Sequence, residues 1–181
     1  MMGKQESIPG KQYEGTQGAS NSHSSTNLER DMALSTKTNQ VKIKSDCDAF
    51  HQLWKANPNQ VPTLTPTYIQ NCQVHEGEVG NLGCCLVWNY FHDGKDRVGK
   101  TITTDFNEGK KSVTFKVVEG DLMDLYKTFV IHIQVDKDGS DNIVTWTVEY
   151  EKLNPNVPDP DTLMEFYEKV TRDIEACQLP N

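Results

Sequence analysis

Six strand-like segments follow one another between residues 68 and 152, with no helical segment between them. The connectors "HDGKD", "NEGK" and "DKDGSD" each place Gly beside an acidic residue, as hairpin turns prefer. Strands that follow one another without intervening helices pair as antiparallel neighbours. The pattern therefore predicts an antiparallel meander. Its segments are "YIQNCQVH", "GCCLVWNYFH", "RVGKTITTDF", "KSVTFKVV", "YKTFVIHIQV" and "NIVTWTVEYEK".

The segments on either side of the meander have helical character. Upstream, "VKIKSDCDAFHQLWKAN" predicts a short strand that runs into a helix, with Ser45 and Asp48 resembling a capping box. The prolines of "NPNQVPTLTP" limit any helix there to a turn or two. Downstream, Asp161 is a predicted N-cap, and apolar residues then recur at helical spacing. These are Leu163, Phe166, Tyr167, Val170, Ile174 and Cys177. The fold class is therefore α+β, with seven strands that can curl around a long C-terminal helix.

Alternation along the strands predicts which side chains face that helix, because successive residues of a strand point to opposite sides of a sheet. Four of the predicted inward residues, Trp88, Tyr90, Trp146 and Tyr150, are aromatic and carry polar atoms that need partners when buried. They fit either an ordinary core or a ligand chamber lined by aromatic rings. The inward set is Leu86, Trp88, Tyr90, Val113, Phe115, Val117, Phe129, Ile131, Ile133, Val135, Val144, Trp146, Val148 and Tyr150.

Charge and composition narrow the range of partners. The net charge of −8 opposes binding to nucleic acids and to anionic membranes, since both attractions need Lys and Arg. No apolar run approaches the roughly 20 residues that span a bilayer. The five cysteines form no C-x-x-C motif and no secretory segment precedes them, which is typical of a reduced, cytoplasmic protein. The expected partner is a small molecule, neutral or apolar, rather than a polyanion.

Residues 1–31 differ in composition from the rest of the chain. They are rich in Ser, Gly, Gln and Asn and poor in apolar residues, so we expect a disordered tail before a domain of residues 32–181. Three other interpretations stay open: a myristoylation signal if translation starts at Met2, a transit peptide, and a second start at Met32.

The segment "HEGEVGNLGCC" places Gly77, Gly80 and Gly83 three residues apart. Phosphate-binding glycine loops lead from a strand into a helix, whereas this one joins two strands, so we predict a turn without nucleotide. Cys72 and His75 have zinc-like spacing, but on a strand they point to opposite faces, so no metal site is predicted. No G-x-S-x-G motif or Cys–His–Asp grouping for covalent catalysis is present either.

Three segments, "VWNYFHDGK", "VVEGDLMDLYKTF" and "VEYEKLNPNVPDPD", resemble the major latex protein branch of the plant pathogenesis-related class-10 (Bet v I type) family. The resemblance covers roughly residues 33 to 179. It implies a helix-grip, START-like fold, in which a seven-stranded antiparallel sheet grips the C-terminal helix. It also implies two short helices after the first strand, a large internal apolar cavity, and a glycine-rich loop at the cavity rim.

The resemblance further implies which residues reach that cavity. By match to family positions they are Trp88, Tyr90, Val113, Phe115, Val117, Val148, Tyr150, Phe166 and Val170. The inward strand faces add Leu86, Phe129, Ile131 and Trp146.

Two functions remain open from the resemblance. One is a non-catalytic carrier of hormones, flavonoids or sterols in defence or stress responses. The other, which we prefer, is a cofactor-free cyclase or isomerase for a reactive terpenoid (iridoid-type) or alkaloid intermediate, acting beside enzymes of the same pathway. In that role Tyr90 or Tyr150 would hydrogen-bond a developing oxyanion. Neither function needs a cofactor.

Overall fold

The computed structural model describes residues 33–177, and all of its secondary structure lies in the compact unit that begins at Leu34. The tail predicted over residues 1–31 lies outside the described residues, as do its alternatives.

Seven antiparallel strands form one sheet in the order β1-β7-β6-β5-β4-β3-β2. From β2 to β7, each strand pairs with the next strand along the chain, and β1 lies at one edge of the sheet, paired with β7. The predicted meander is therefore confirmed. The strands are β1 (Ser35–Ile43), β2 (Ile69–Glu76), β3 (Cys85–His92), β4 (Lys95–Asn107), β5 (Ser112–Gly120), β6 (Tyr126–Asp138) and β7 (Asp141–Lys152).

Among residues 33–177, three α-helices accompany the sheet: α1 (Cys47–Ala56), α2 (Val61–Leu64) and α3 (Asp161–Ala176). A 3₁₀ turn at Pro58–Gln60 precedes α2, and a second at Asp121–Asp124 joins β5 to β6. The single helical turn of α2 agrees with the limit that the prolines set.

Both predicted helix caps are wrong. The N-cap of α1 is Asp46, whose side chain accepts a hydrogen bond from the Ala49 amide at 3.0 Å. Ser45 instead donates its hydroxyl to Glu175 near the end of α3, at 2.7 Å. Asp161 is the first residue of α3 rather than its cap, because the Pro160 carbonyl already accepts from the Met164 amide.

The inward strand faces and the apolar side of α3 form one continuous core. The predicted alternation is confirmed for β5, β6 and β7, whose inward residues are all buried except the half-buried Ile131. On α3 the stripe holds from Leu163 to Ile174, whereas Cys177 is exposed because the helix ends at Ala176. Register shifts in the pairing of β4 with β5 mark bulges, and bulges bend a sheet, so it can curve around α3.

Candidate functional site

An apolar cavity lies between the concave face of the sheet and helix α3, and α1 contributes to its wall. None of its lining residues is charged, and its polar groups are limited to hydroxyls and indole N–H groups. Its lining is Trp54, Ile69, Trp88, Tyr90, Gly99, Thr101, Phe115, Val117, Leu122, Ile131, Ile133, Trp146, Leu163, Phe166, Tyr167 and Val170. We call it the inner cavity.

The inner cavity has room for a small molecule. The centre of a water-sized sphere can move through about 80 Å³ of it. Because such a sphere extends about 1.4 Å beyond its centre, the space accommodates roughly ten non-hydrogen atoms of a compact ligand.

Stacked aromatic rings close one side of this space. Trp146 stacks on Tyr167 with ring centroids 4.5 Å apart, and Trp54 meets Trp146 edge-on at 5.3 Å. The Trp146 indole donates to the Thr171 hydroxyl at 2.8 Å, as the Trp88 indole does to Thr101 at 3.0 Å. These bonds satisfy buried donors and fix the rings that shape the cavity.

Eight residues of the predicted cavity set line the inner cavity: Trp88, Tyr90, Phe115, Val117, Ile131, Trp146, Phe166 and Val170. Five others are buried in the core but are not part of this lining: Leu86, Val113, Phe129, Val148 and Tyr150. The inward face of the sheet is longer than the cavity, so residues nearer its ends pack against protein. Phe129, for example, contacts the rings of Tyr126 and Tyr150, with centroids 5.1 and 6.4 Å away.

The two tyrosines predicted to act in catalysis have different surroundings. Tyr90 lines the inner cavity, and its hydroxyl makes no hydrogen bond within residues 33–177. Burial raises the pKa of Tyr90 to about 12, so the phenol stays protonated at neutral pH and can donate but not act as a base. The Tyr150 hydroxyl donates to Asp159 at 2.8 Å. Burial, followed by that hydrogen bond, raises the pKa of Tyr150 well above its usual range.

The glycine-rich loop connects β2 to β3, and Gly77, Gly80 and Gly83 all have φ between 81° and 87°, which favours glycine. The Gly83 amide donates to the Thr103 carbonyl at 2.8 Å, which ties the loop to β4. None of the three glycines lines either of the two cavities described here.

Sequence reasoning missed eight lining residues: Trp54, Ile69, Gly99, Thr101, Leu122, Ile133, Leu163 and Tyr167. Trp54 belongs to the helix predicted after the first strand, and Tyr167 belongs to the predicted apolar stripe of the C-terminal helix. Ile133 belongs to an inward strand face that was also recognised. Gly99 and Thr101 lie on the inward face of β4, but neither residue is strongly apolar, so hydropathy did not indicate that face.

A second space, which we call the outer cavity, adjoins the inner one. Tyr90, Leu122 and Leu163 line both. The outer cavity offers about 100 Å³ to the centre of a water-sized sphere and includes charged side chains. Its lining is Tyr90, His92, Asp93, Arg97, Asp121, Leu122, Leu125, Tyr126, Pro158, Asp159, Pro160, Thr162 and Leu163.

The described part of the chain has neither a metal-binding cluster nor a helix that could span a membrane. No group of three or more His, Cys, Asp or Glu side chains there has the arrangement that holds a metal ion. No helix among residues 33–177 is long and apolar enough to cross a membrane.

Comparison with known proteins gives consistent likenesses. Residues 32–181 match the model of the pathogenesis-related protein Bet v 1 family. The chain is 42% identical to MLP-like protein 34 of Arabidopsis thaliana over 142 residues, which is 77% of this chain but 45% of that protein. Its structure resembles ginseng major latex-like protein 151 from Panax ginseng, with a TM-score of 0.79 and 47% identity, covering 81% of this chain and 99% of that one. Truncated norcoclaurine synthase from Thalictrum flavum, at 14% identity and a TM-score of 0.60 over 77% of this chain and 92% of that one, shares the fold alone.

Proposed function

The chain belongs to the pathogenesis-related protein Bet v 1 family, and from that premise we propose that it binds an apolar plant metabolite of about ten non-hydrogen atoms in the inner cavity. One observation carries the proposal: the cavity is lined almost entirely by aromatic and aliphatic side chains, with no charged group among them. Such a lining favours an apolar guest, because a buried charge without a partner is costly.

Burial of apolar surface supplies the affinity. A guest of this size buries on the order of 300 Å² of its own surface, worth about 7 kcal/mol at ~25 cal/mol per Å² before the entropic cost of association. The expected dissociation constant is therefore in the micromolar range or weaker, which suits a carrier that must also release its ligand.

Substitution of Ile131 by Phe tests the proposal. Ile131 lines the inner cavity from the middle of β6 and is only half-buried, so a larger ring at this position would fill space rather than displace packed atoms. We expect Ile131→Phe to weaken binding of camphor, a compact bicyclic terpenoid, by about tenfold or more in isothermal titration calorimetry.

The neighbouring residue provides the control for this experiment. Val130 is on the same strand, points to the opposite face and lines neither cavity. Val130→Phe should leave camphor binding within about twofold of wild type. Equal loss in both variants, or in neither, would contradict binding in the inner cavity.

A second candidate function is cofactor-free cyclisation or isomerisation of a reactive terpenoid of the iridoid type, or of an alkaloid intermediate. The observation that favours it is the unpartnered Tyr90 hydroxyl at the inner cavity. A protonated phenol in a dry site can hydrogen-bond an oxyanion as it forms, and the walls can hold a flexible substrate in a reactive conformation.

The two tyrosines make this candidate testable. If turnover depends on the inner cavity, Tyr90→Phe should lower the yield of the protein-dependent product from a reactive dialdehyde by about 10²-fold. Tyr150→Phe should change that yield little, because its hydroxyl is engaged by Asp159. Product ratios that are unchanged by the wild-type protein would leave only the carrier function.

The cellular setting is part of the same proposal. All five cysteines are free thiols, and burial raises the pKa of the thiols of Cys47, Cys72, Cys84 and Cys85. Free thiols support a reducing, cytoplasmic location. A carrier or cyclase there would receive its ligand from enzymes of the same pathway.

A further inference from the structure

Tyr90, Leu122 and Leu163 line both cavities, so the outer cavity lies directly beside the inner one. Helix α3 borders both cavities: Phe166 lines the inner cavity, and Thr162, one turn earlier, lines the outer one. The Phe166 ring also meets His92 of the outer cavity edge-on at 5.8 Å. The two spaces thus share a wall.

Two side chains with free hydrogen-bond donors, the Tyr90 hydroxyl and the terminal N–H groups of Arg97, line the outer cavity. Tyr90 and Arg97 are directly opposed on β3 and β4, which places their side chains next to each other on one face of the sheet. Arg97 is half-buried and uses its Nε to donate to the His92 carbonyl at 3.2 Å. Within residues 33–177 no carboxylate oxygen lies within 4.0 Å of its guanidinium, so its terminal N–H groups are free to donate.

Hydrogen-bond acceptors line the same cavity. Asp121 accepts from the Val98 amide with one oxygen, and Asp93 accepts from the Thr162 hydroxyl with one oxygen. The second oxygen of each carboxylate accepts no hydrogen bond from the described residues. Asp159 is already engaged by the Tyr150 hydroxyl and by Lys152, 3.0 Å away.

This mixture of groups selects a particular head group. An anionic head would meet one guanidinium but two uncompensated carboxylates, those of Asp93 and Asp121, so it gains little. A cationic head would be attracted by the Asp93 and Asp121 carboxylates, but it has no acceptor for the Arg97 and Tyr90 donors and would be repelled by the Arg97 guanidinium. A hydroxyl both accepts and donates, and several hydroxyls together can use the Arg97 and Tyr90 donors and the free carboxylate oxygens at once.

We propose that the outer cavity binds a neutral, polyhydroxylated head group, such as a sugar, of a ligand whose apolar body occupies the inner cavity. This inference rests on the proposed function, because the apolar body needs the inner cavity. It identifies the ligand class as an amphiphile with a compact apolar part joined to a sugar or polyol.

Three probes with the same eight-carbon chain test the head group: octyl β-D-glucoside below its micellar concentration, octanoate, and octyl methyl ether. By calorimetry with the full chain at pH 7, we expect the glucoside to bind about tenfold more tightly than either of the other two. In Arg97→Met the glucoside should lose about tenfold in affinity, while the ether stays within about twofold of its wild-type value.

Lys95→Met is the matched control, because Lys95 carries the same charge on the same strand, is exposed, and lines neither cavity. It should leave the glucoside affinity unchanged. Tyr90→Phe is a second variant that removes one hydroxyl and keeps the ring; it should weaken the glucoside about threefold and the ether hardly at all.

The outcomes separate this inference from the function on which it rests. If the ether binds as tightly as the glucoside and Arg97→Met changes neither, the outer cavity takes no head group and only this inference fails. If octanoate binds most tightly and loses affinity in Arg97→Met, the site prefers an anion and the inference fails on its chemistry. If none of the three probes binds, the proposed apolar-ligand function fails and this inference fails with it.

Discussion

Replacement of Gly120 by Ala should destabilise the protein by about 4 kcal/mol or prevent folding, because the added Cβ atom would collide with backbone atoms that cannot move away. Gly120 has φ 115° and ψ −169°, a region that is essentially restricted to glycine. A Cβ atom there would lie 2.2 Å from the Val98 carbonyl oxygen and 2.8 Å from the Gly99 Cα. Both are backbone atoms of the paired strand β4, so neither can move without opening the sheet.

Gly139→Ala is the matched control. Gly139 also has a positive φ, of 66°, but a Cβ atom there would meet nothing within 4 Å. It should cost only about 1 kcal/mol, the strain of the left-handed region alone. Urea unfolding followed by tryptophan fluorescence compares the two free energies of unfolding. Similar midpoints for both variants would show that close packing at Gly120 is unimportant.

The Gly120→Ala substitution should also affect ligand binding in the two cavities. Gly120 pairs with Gly99, which lines the inner cavity, and the next four residues form the 3₁₀ turn that carries Leu122 and Asp121. Any Gly120→Ala protein that still folds has a displaced turn. We therefore expect such protein to lose binding of camphor and of octyl glucoside together.

The fold and the family could be predicted because both are indicated by short sequence patterns, each contained within one or two neighbouring elements. Strand alternation, hairpin turns and the stripe of α3 each follow from a fixed residue period, so the antiparallel order and the grip on α3 could be predicted. The three segments that resembled the major latex branch predicted the family that the comparisons then confirmed.

The extent of the cavity was less predictable, because alternation specifies a face and not a depth. Val117 and Val113 share the inward face of β5, but only Val117 reaches the inner cavity. The inward face of strand β4 could not be recognised from hydropathy. Gly99, Thr101 and Thr103 face inward and are buried, but none of them is strongly apolar. Thr101 is tolerated there because it accepts the Trp88 indole N–H.

Side-chain partners that lie in different segments of the fold were also beyond prediction. The Tyr150 hydroxyl finds Asp159 only because the segment after β7 folds back over the strand end. Ser45 bonds to Glu175, 130 residues away, so the local capping box that the sequence suggested does not form. For Ser45, a tertiary contact competes successfully with a local one.

Truncation of Trp146 to Ala should cost about 3–5 kcal/mol and enlarge the inner cavity. Its ring is 2% exposed and joins three elements: it belongs to β7, stacks on Tyr167 of α3 and contacts Trp54 of α1. Its removal forfeits those contacts and leaves a void in an apolar wall. An apolar void stays dry and accepts apolar guests, so the folded fraction of Trp146→Ala should bind ligands larger than camphor more tightly than wild type does.

A double-mutant cycle separates the indole hydrogen bond from the ring contacts of Trp146. Thr171→Val removes the acceptor of the Trp146 N–H, which lies 2.8 Å away, and leaves a buried donor unsatisfied at a cost of about 1–3 kcal/mol. In a Trp146→Phe background no donor remains, so the same Thr171→Val change should cost about 1 kcal/mol less than in wild type. The free energies of unfolding of the four proteins, measured in urea, give the coupling directly. Costs for Thr171→Val that are equal in both backgrounds would mean that the Trp146 side chain stabilises the cavity wall through packing alone.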